Sequence, residues 1–177
     1  ERRCGITGMN TMGTASQNDP LQHKTSGNRL FQTFLIFLLV FVITHMFEIP
    51  WGPKAVSQLL GGQEIFDKRP AFSSTEVYNR ISLFPAEGLI AYKRFTYTID
   101  IIFPLSFLAF LLTLARFVSQ RIKIPKYIVN VLIGLPFFWF VFDLVENAVI
   151  FSILSKFPSQ SELLASSLGY ITAMKFG

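Results

Sequence analysis

The stretch "FDLVENAVIFSILSKFP" (residues 142–158) decides the fold. It is apolar along most of its length, yet within five residues it holds Asp143, Glu146 and Asn147. Near the centre of a membrane helix, a carboxylate costs roughly 2.5–3.5 kcal/mol on insertion scales. Residues at i, i+3 and i+4 share one helix face. Two acids and an amide on one face therefore predict a buried seam turned toward partners on other helices. Pro136 and Trp139 extend that face by two turns.

Working outward, residues 127–157 form one span with this seam inside it. A short turn, "PSQSE", leads to residues 163–177, "LLASSLGYITAMKFG". Fifteen residues reach only about 22 Å, so this last span is expected to continue past Gly177. Upstream, "VSQRIKIPK" is a basic turn, and residues 95–117 form another apolar span. The first span covers residues 30–47 and is stopped by "EIPWGP". Pro50 and Pro53 end the helix there, and Trp51 suits the headgroup level. The expected fold is an all-α integral membrane four-helix bundle.

Composition agrees with this pattern. The 177 residues are 51% hydrophobic and only 15% charged, with 20 phenylalanines. Soluble domains carry about 25% charge. A net charge of +5 without a basic stripe or recognition motif excludes nucleic acid as a partner and leaves loop bias as its cause. One cysteine, Cys4, rules out an internal disulfide and a cysteine-based zinc site. No signal peptide is read, because the first apolar block is long enough to span.

Residues 1–28 are rich in Gly, Ser, Thr, Asn and Gln and read as a disordered or surface-lying tail; residues 29–177 make one membrane domain. The connector between the first two spans is too long to be a bare loop. Its amphipathic stretches predict short interfacial helices lying over the ends of the spans, one of them capped near Ser74 and carrying Val77, Tyr78 and Ile81. Basic residues crowd the tail (Arg2, Arg3, Lys24, Arg29) and the second turn (Arg116, Arg121, Lys123, Lys126). Both flanks fall on one side of an even-numbered bundle. That side is expected to be cytoplasmic or its equivalent, with the long connector opposite.

Helix arithmetic then gives depth. Measured from the connector side, Asp100 and His45 lie about 9 Å in, Glu146 about 15 Å, and Asp143 and Lys175 about 20 Å. Lys175 is the one cation expected at the depth of the acids, so it should pair with Asp143 or Glu146. Pro104 frees the carbonyl of Asp100, and Pro136 that of Leu132; each needs a donor inside the bilayer. Ala165, Gly169 and Ala173 form a small-residue stripe that allows close helix approach. The aromatic stripes read as packing or lipid contact. No zinc, haem, P-loop, dinucleotide or nucleophile-elbow signature is present, so no metal and no cofactor is expected.

The elements Tyr92/Arg94, Asp100/Pro104, Asp143/Glu146/Asn147 and Thr172/Lys175 follow one another in an order that resembles a family of small, mostly uncharacterised four-helix integral membrane proteins of bacterial type. That family shows "D..FP", "D..EN" and "T..K" elements, and the likeness covers residues 50–177. It implies the four-span fold and the same polar positions, and it brings no activity.

Two functions follow as expectations. One is an accessory or structural subunit of a membrane complex, with other membrane subunits and the lipid bilayer as partners. The other is a membrane-embedded enzyme or binding protein for a lipid-like small molecule. In it Asp143 or Glu146 would act as acid or base with Lys175 tuning it, Asp100 is a further catalytic candidate, and Tyr92 or Arg94 would grip a head group. Asn147, Thr172 and His45 complete its binding set. A proton relay through Asp100, Glu146, Asp143 and His45 ranks below both, because the first span offers little to carry the path to the inner face.

Overall fold

The computed structural model describes residues 20–50 and 52–176. Trp51 and the greater part of the expected tail lie outside the described residues. Among the described residues all regular structure is helical: α1 (Pro20–Met46), α2 (Pro53–Leu59), α3 (Ser74–Ser82), α4 (Ala86–Thr96), α5 (Ile99–Arg121), α6 (Lys126–Lys156) and α7 (Glu162–Phe176). Helix α1 thus begins inside the stretch assigned to the tail.

Among the described residues, three segments are long and apolar enough to cross a membrane: Gly27–Met46, Ala86–Arg121 and Lys126–Lys156. The second joins α4 and α5 across a short break at Tyr97 and Thr98. Helix α7 has 15 residues, about 22 Å, against a hydrocarbon core of about 30 Å.

Helix α1 packs on α5, α5 on α6, and α6 on α7. The α1–α5 contact is an aromatic seam. Phe37 lies 5.1 Å from Phe107, 5.6 Å from Phe110 and 6.0 Å from Phe103, ring centre to ring centre. Thr33 and Thr113 share a hydrogen bond of 2.6 Å in the same seam. These phenylalanines serve packing, as their stripe predicts.

The connector forms a folded layer with its own core. Val56, Leu60, Phe66, Val77, Ile81 and Tyr92 are buried with Ile150, Ile153, Ala165 and Leu168 of α6 and α7. The apolar face of α3 is therefore spent on protein: Val77 and Ile81 are fully buried. The cap of α3 is Ser73 and not Ser74; the Ser73 hydroxyl accepts the Glu76 N–H at 3.2 Å. Tyr78 ties this layer to the α6–α7 turn, where its hydroxyl accepts the Ser161 N–H at 2.6 Å.

The segment after α2 runs down alongside α7. Ala71 meets Gly169, seven residues into α7, and Asp67 meets Lys175, thirteen residues in. Those steps correspond to about 10 Å and about 20 Å along the helix axis. The small-residue stripe thus admits a connector segment where a neighbouring helix was expected, and Ala173 is exposed.

A methyl group at Gly169 would stand 2.5 Å from the Ala71 carbonyl oxygen, whereas one at Gly134 would meet nothing within 4 Å. Gly169→Ala should therefore lower stability by about 1–3 kcal/mol. Gly134→Ala should be neutral or stabilising by up to about 1 kcal/mol. Thermal unfolding of the detergent-solubilised variants checks both.

Candidate functional site

Helix α6 supplies the base of the site. Asp143, Glu146 and Asn147 are 2%, 0% and 4% exposed, on one face as the spacing requires. Helix α7 lies against that face and brings Thr172 and Lys175 one turn apart. The Thr172 hydroxyl donates to Glu146 Oε1 and stands 3.1 Å from the Leu168 carbonyl.

Lys175 is the centre. Its Nζ lies 2.5 Å from Asp143 Oδ1, 2.9 Å from Glu146 Oε2 and 3.4 Å from Asp67 Oδ2. An ammonium carries three donors, and carboxylates from α6 and the connector surround it. The Trp139 ring faces the same nitrogen at 5.9 Å from its centre, a distance that permits cation–π attraction. Asp67, Asp143 and Glu146 offer oxygens within 4.8 Å of one another, a spacing that could hold a metal ion. The Lys175 ammonium stands within reach of all of them, where such an ion would sit.

Asp67 was missed in the sequence. It is one of five acids in a connector that also carries six basic residues, and nothing local marks it. What places it is the backbone around it. Tyr92, fully buried, accepts the Phe66 N–H at 2.8 Å. Arg80 donates to the Arg69 carbonyl at 2.6 Å and to the Glu64 carbonyl at 2.8 Å, and its guanidinium lies 4.5 Å from the Phe66 ring centre. Burial strips water from Arg80 and holds its pKa below the usual value. An irregular segment held among helices needs its backbone groups satisfied, and these two side chains do that.

Tyr92 therefore serves the Asp67 segment, its buried hydroxyl taken up by the Phe66 N–H. Arg94 is exposed on α4. His45 is half-buried: its ring stacks on Phe41 at 4.6 Å and packs on Phe103 at 5.0 Å. Its Nδ1 lies 2.8 Å from the Thr44 hydroxyl.

Asp100 stands at the start of α5. Pro104 cannot donate to its carbonyl, and the Asn147 side-chain amide donates there instead, at 3.1 Å. The amide in the opening motif thus closes the gap that proline makes in the neighbouring helix.

Beside the cluster lies a cavity of about 270 Å³. Asp67, Lys68, Asp100, Asp143, Lys175 and His45 line it, together with Phe95, Ile99, Phe103 and Trp139. Glu146 is not among its lining residues. Two carboxylate oxygens at this site, Asp143 Oδ2 and Asp67 Oδ1, are buried without a hydrogen-bond partner among the described residues.

No protein-family profile, curated protein or solved structure matches the chain.

Removing one member of a buried ion cluster strands the rest. Lys175→Met should cost about 3–5 kcal/mol, and adding Glu146→Gln should recover part of it. Asn147→Ala should cost about 1–3 kcal/mol, because it orphans the Asp100 carbonyl. A double-mutant cycle isolates that role: it measures how the Asn147→Ala cost changes when Pro104→Ala restores the helical donor. The cost should fall well below its value in the parent chain.

Proposed function

We propose that the chain is a four-span integral membrane protein that binds a small, lipid-like molecule in the cavity beside Lys175. The spans are α1, α5 and the first two thirds of α6, with α7 entering beside them. The connector helices cap the end opposite the basic turn.

Exposure along α6 supports this placement. Large apolar side chains are exposed from Tyr127 to Val145, through Val131, Leu135, Phe138 and Val141. Beyond Val145 the exposed positions are Ala148, Phe151, Ser155 and Lys156. Asp143 lies seventeen residues from Lys126, about 26 Å along the axis, against a hydrocarbon core of about 30 Å. The cavity then sits where the bilayer meets the cap, nearer the surface than the depth first estimated. A molecule could reach it from the lipid with its polar end toward the cap.

The observation that carries the reading is the cavity itself. Polar groups that only glue helices together close on one another and leave no space beside them. Here Asp100 and Asp143 border open volume that Phe95, Phe103 and Trp139 also line. Small-molecule sites combine a mostly apolar lining with a few convergent polar groups. An acid–base role would fall to Asp143 or Asp100, which face the cavity, ahead of Glu146, which Thr172 and Lys175 hold away from it.

Purification into lipid nanodiscs followed by native mass spectrometry tests the proposal. The expected result is a small molecule retained in near-stoichiometric amount and lost in Ile99→Trp, which fills the cavity. Retention of a second polypeptide with no small molecule would instead favour an accessory subunit of a membrane complex.

A further inference from the structure

We infer that the cavity takes a cationic ligand bearing N–H donors, a primary ammonium on an apolar or aromatic body. The inference rests on the binding role proposed above and names the ligand's chemistry.

The charges at the site do not balance. Asp67, Asp100, Asp143 and Glu146 converge on one region, where Lys175 is the buried ammonium and the exposed Lys68 the other lysine lining the cavity. Its three donors face Asp67, Asp143 and Glu146, at 3.4, 2.5 and 2.9 Å. That leaves Asp143 Oδ2 and Asp67 Oδ1 buried and without a hydrogen-bond partner among the described residues. The Asp143 side chain is only 3% exposed, so water outside the protein does not serve it. The Asp100 carboxylate accepts no hydrogen bond among the described residues; the bond at that residue goes to its backbone carbonyl. All three of these acids line the same cavity.

A buried carboxylate needs donors or an opposite charge. An incoming ammonium supplies both. An anion would meet three carboxylates, offset only by Lys175, which is already ion-paired, and by the exposed Lys68, and a neutral alcohol would bring one donor and no charge. A bare metal ion would compete with Lys175, which already stands among the ligating oxygens. Phe95, Phe103 and Trp139 line the same cavity and suit an aromatic or alkyl body and the face of a cation. Ligand recognition by buried acids against aromatic faces thus specifies the charge, the donors and the body together.

The test uses the full chain in nanodiscs of zwitterionic lipid. The protein has two tryptophans, so Trp51→Phe leaves Trp139, which lines the cavity, as the sole tryptophan, and excitation on the red side of tyrosine absorption reads it alone. The probes are 2-phenylethylamine, its N,N,N-trimethylated form, 2-phenylethanol, 3-phenylpropionate and calcium ion. The amine should shift Trp139 emission saturably. The trimethylated form, which keeps the charge and loses the N–H groups, and the alcohol should each bind about ten-fold or more weakly, and the propionate not at all. Asp100→Asn should weaken amine binding about ten-fold while leaving alcohol binding unchanged. Asp143→Asn provides the same reading if Asp100→Asn fails to fold.

Equal binding of amine, alcohol and propionate would overturn the cationic assignment while leaving the cavity a binding site. So would a calcium response without an amine response. Silence from every probe would overturn the assignment as well. If the nanodisc preparation also retained no small molecule, the binding role would fall with it.

Discussion

One buried ammonium organises this protein. Lys175 Nζ gathers Asp143 and Glu146 from α6 and Asp67 from the connector. Leaving any one of the buried ions without its partners would carry the desolvation cost of an unpaired charge. Their meeting fixes the register of α7 on α6 and draws the connector down to their level. The rest of the connector's architecture answers the demand this creates: Tyr92 and Arg80 satisfy backbone groups of the drawn-down segment, and Gly169 leaves room for it to pass.

A second constraint works beside the first. Pro104 breaks the hydrogen-bond ladder of α5 at the level where charge is concentrated. Asn147 repairs the break from α6, one residue after Glu146. The opening motif is thus divided by task. Its acids hold the lysine, and its amide holds the neighbouring helix. The same proline and the start of α5 border the cavity, so the kinked helix start, the ion cluster and the open volume share one location.

Much of this was legible in the sequence because membranes make charge expensive. Three apolar helices, the shared face of Asp143, Glu146 and Asn147, and a matching depth for Lys175 all follow from spacing and helix rise. The freed carbonyl of Asp100 follows from the proline rule. Other parts were not legible. Asp67 sits in a polar, irregular segment where acids are ordinary, and only the path of the backbone gives it a role. Tyr92 and Arg94, two residues apart on one short helix, look like an interfacial pair. Which one is buried depends on how α4 packs on α6, and local pattern carries no trace of that. The small-residue stripe signals close approach, yet it cannot say whether a helix or an irregular segment approaches.

The account stands on the convergence at Lys175, and magic-angle-spinning NMR in lipid bilayers measures it directly. With the Lys175 side-chain nitrogen and the carboxylate carbons isotopically labelled, dipolar recoupling should show one lysine ammonium coupled to a glutamate and to two aspartates. Asp67→Asn should abolish one aspartate contact and spare the others. A Lys175 ammonium that couples to no carboxylate carbon, or that keeps both aspartate contacts in Asp67→Asn, would contradict the account.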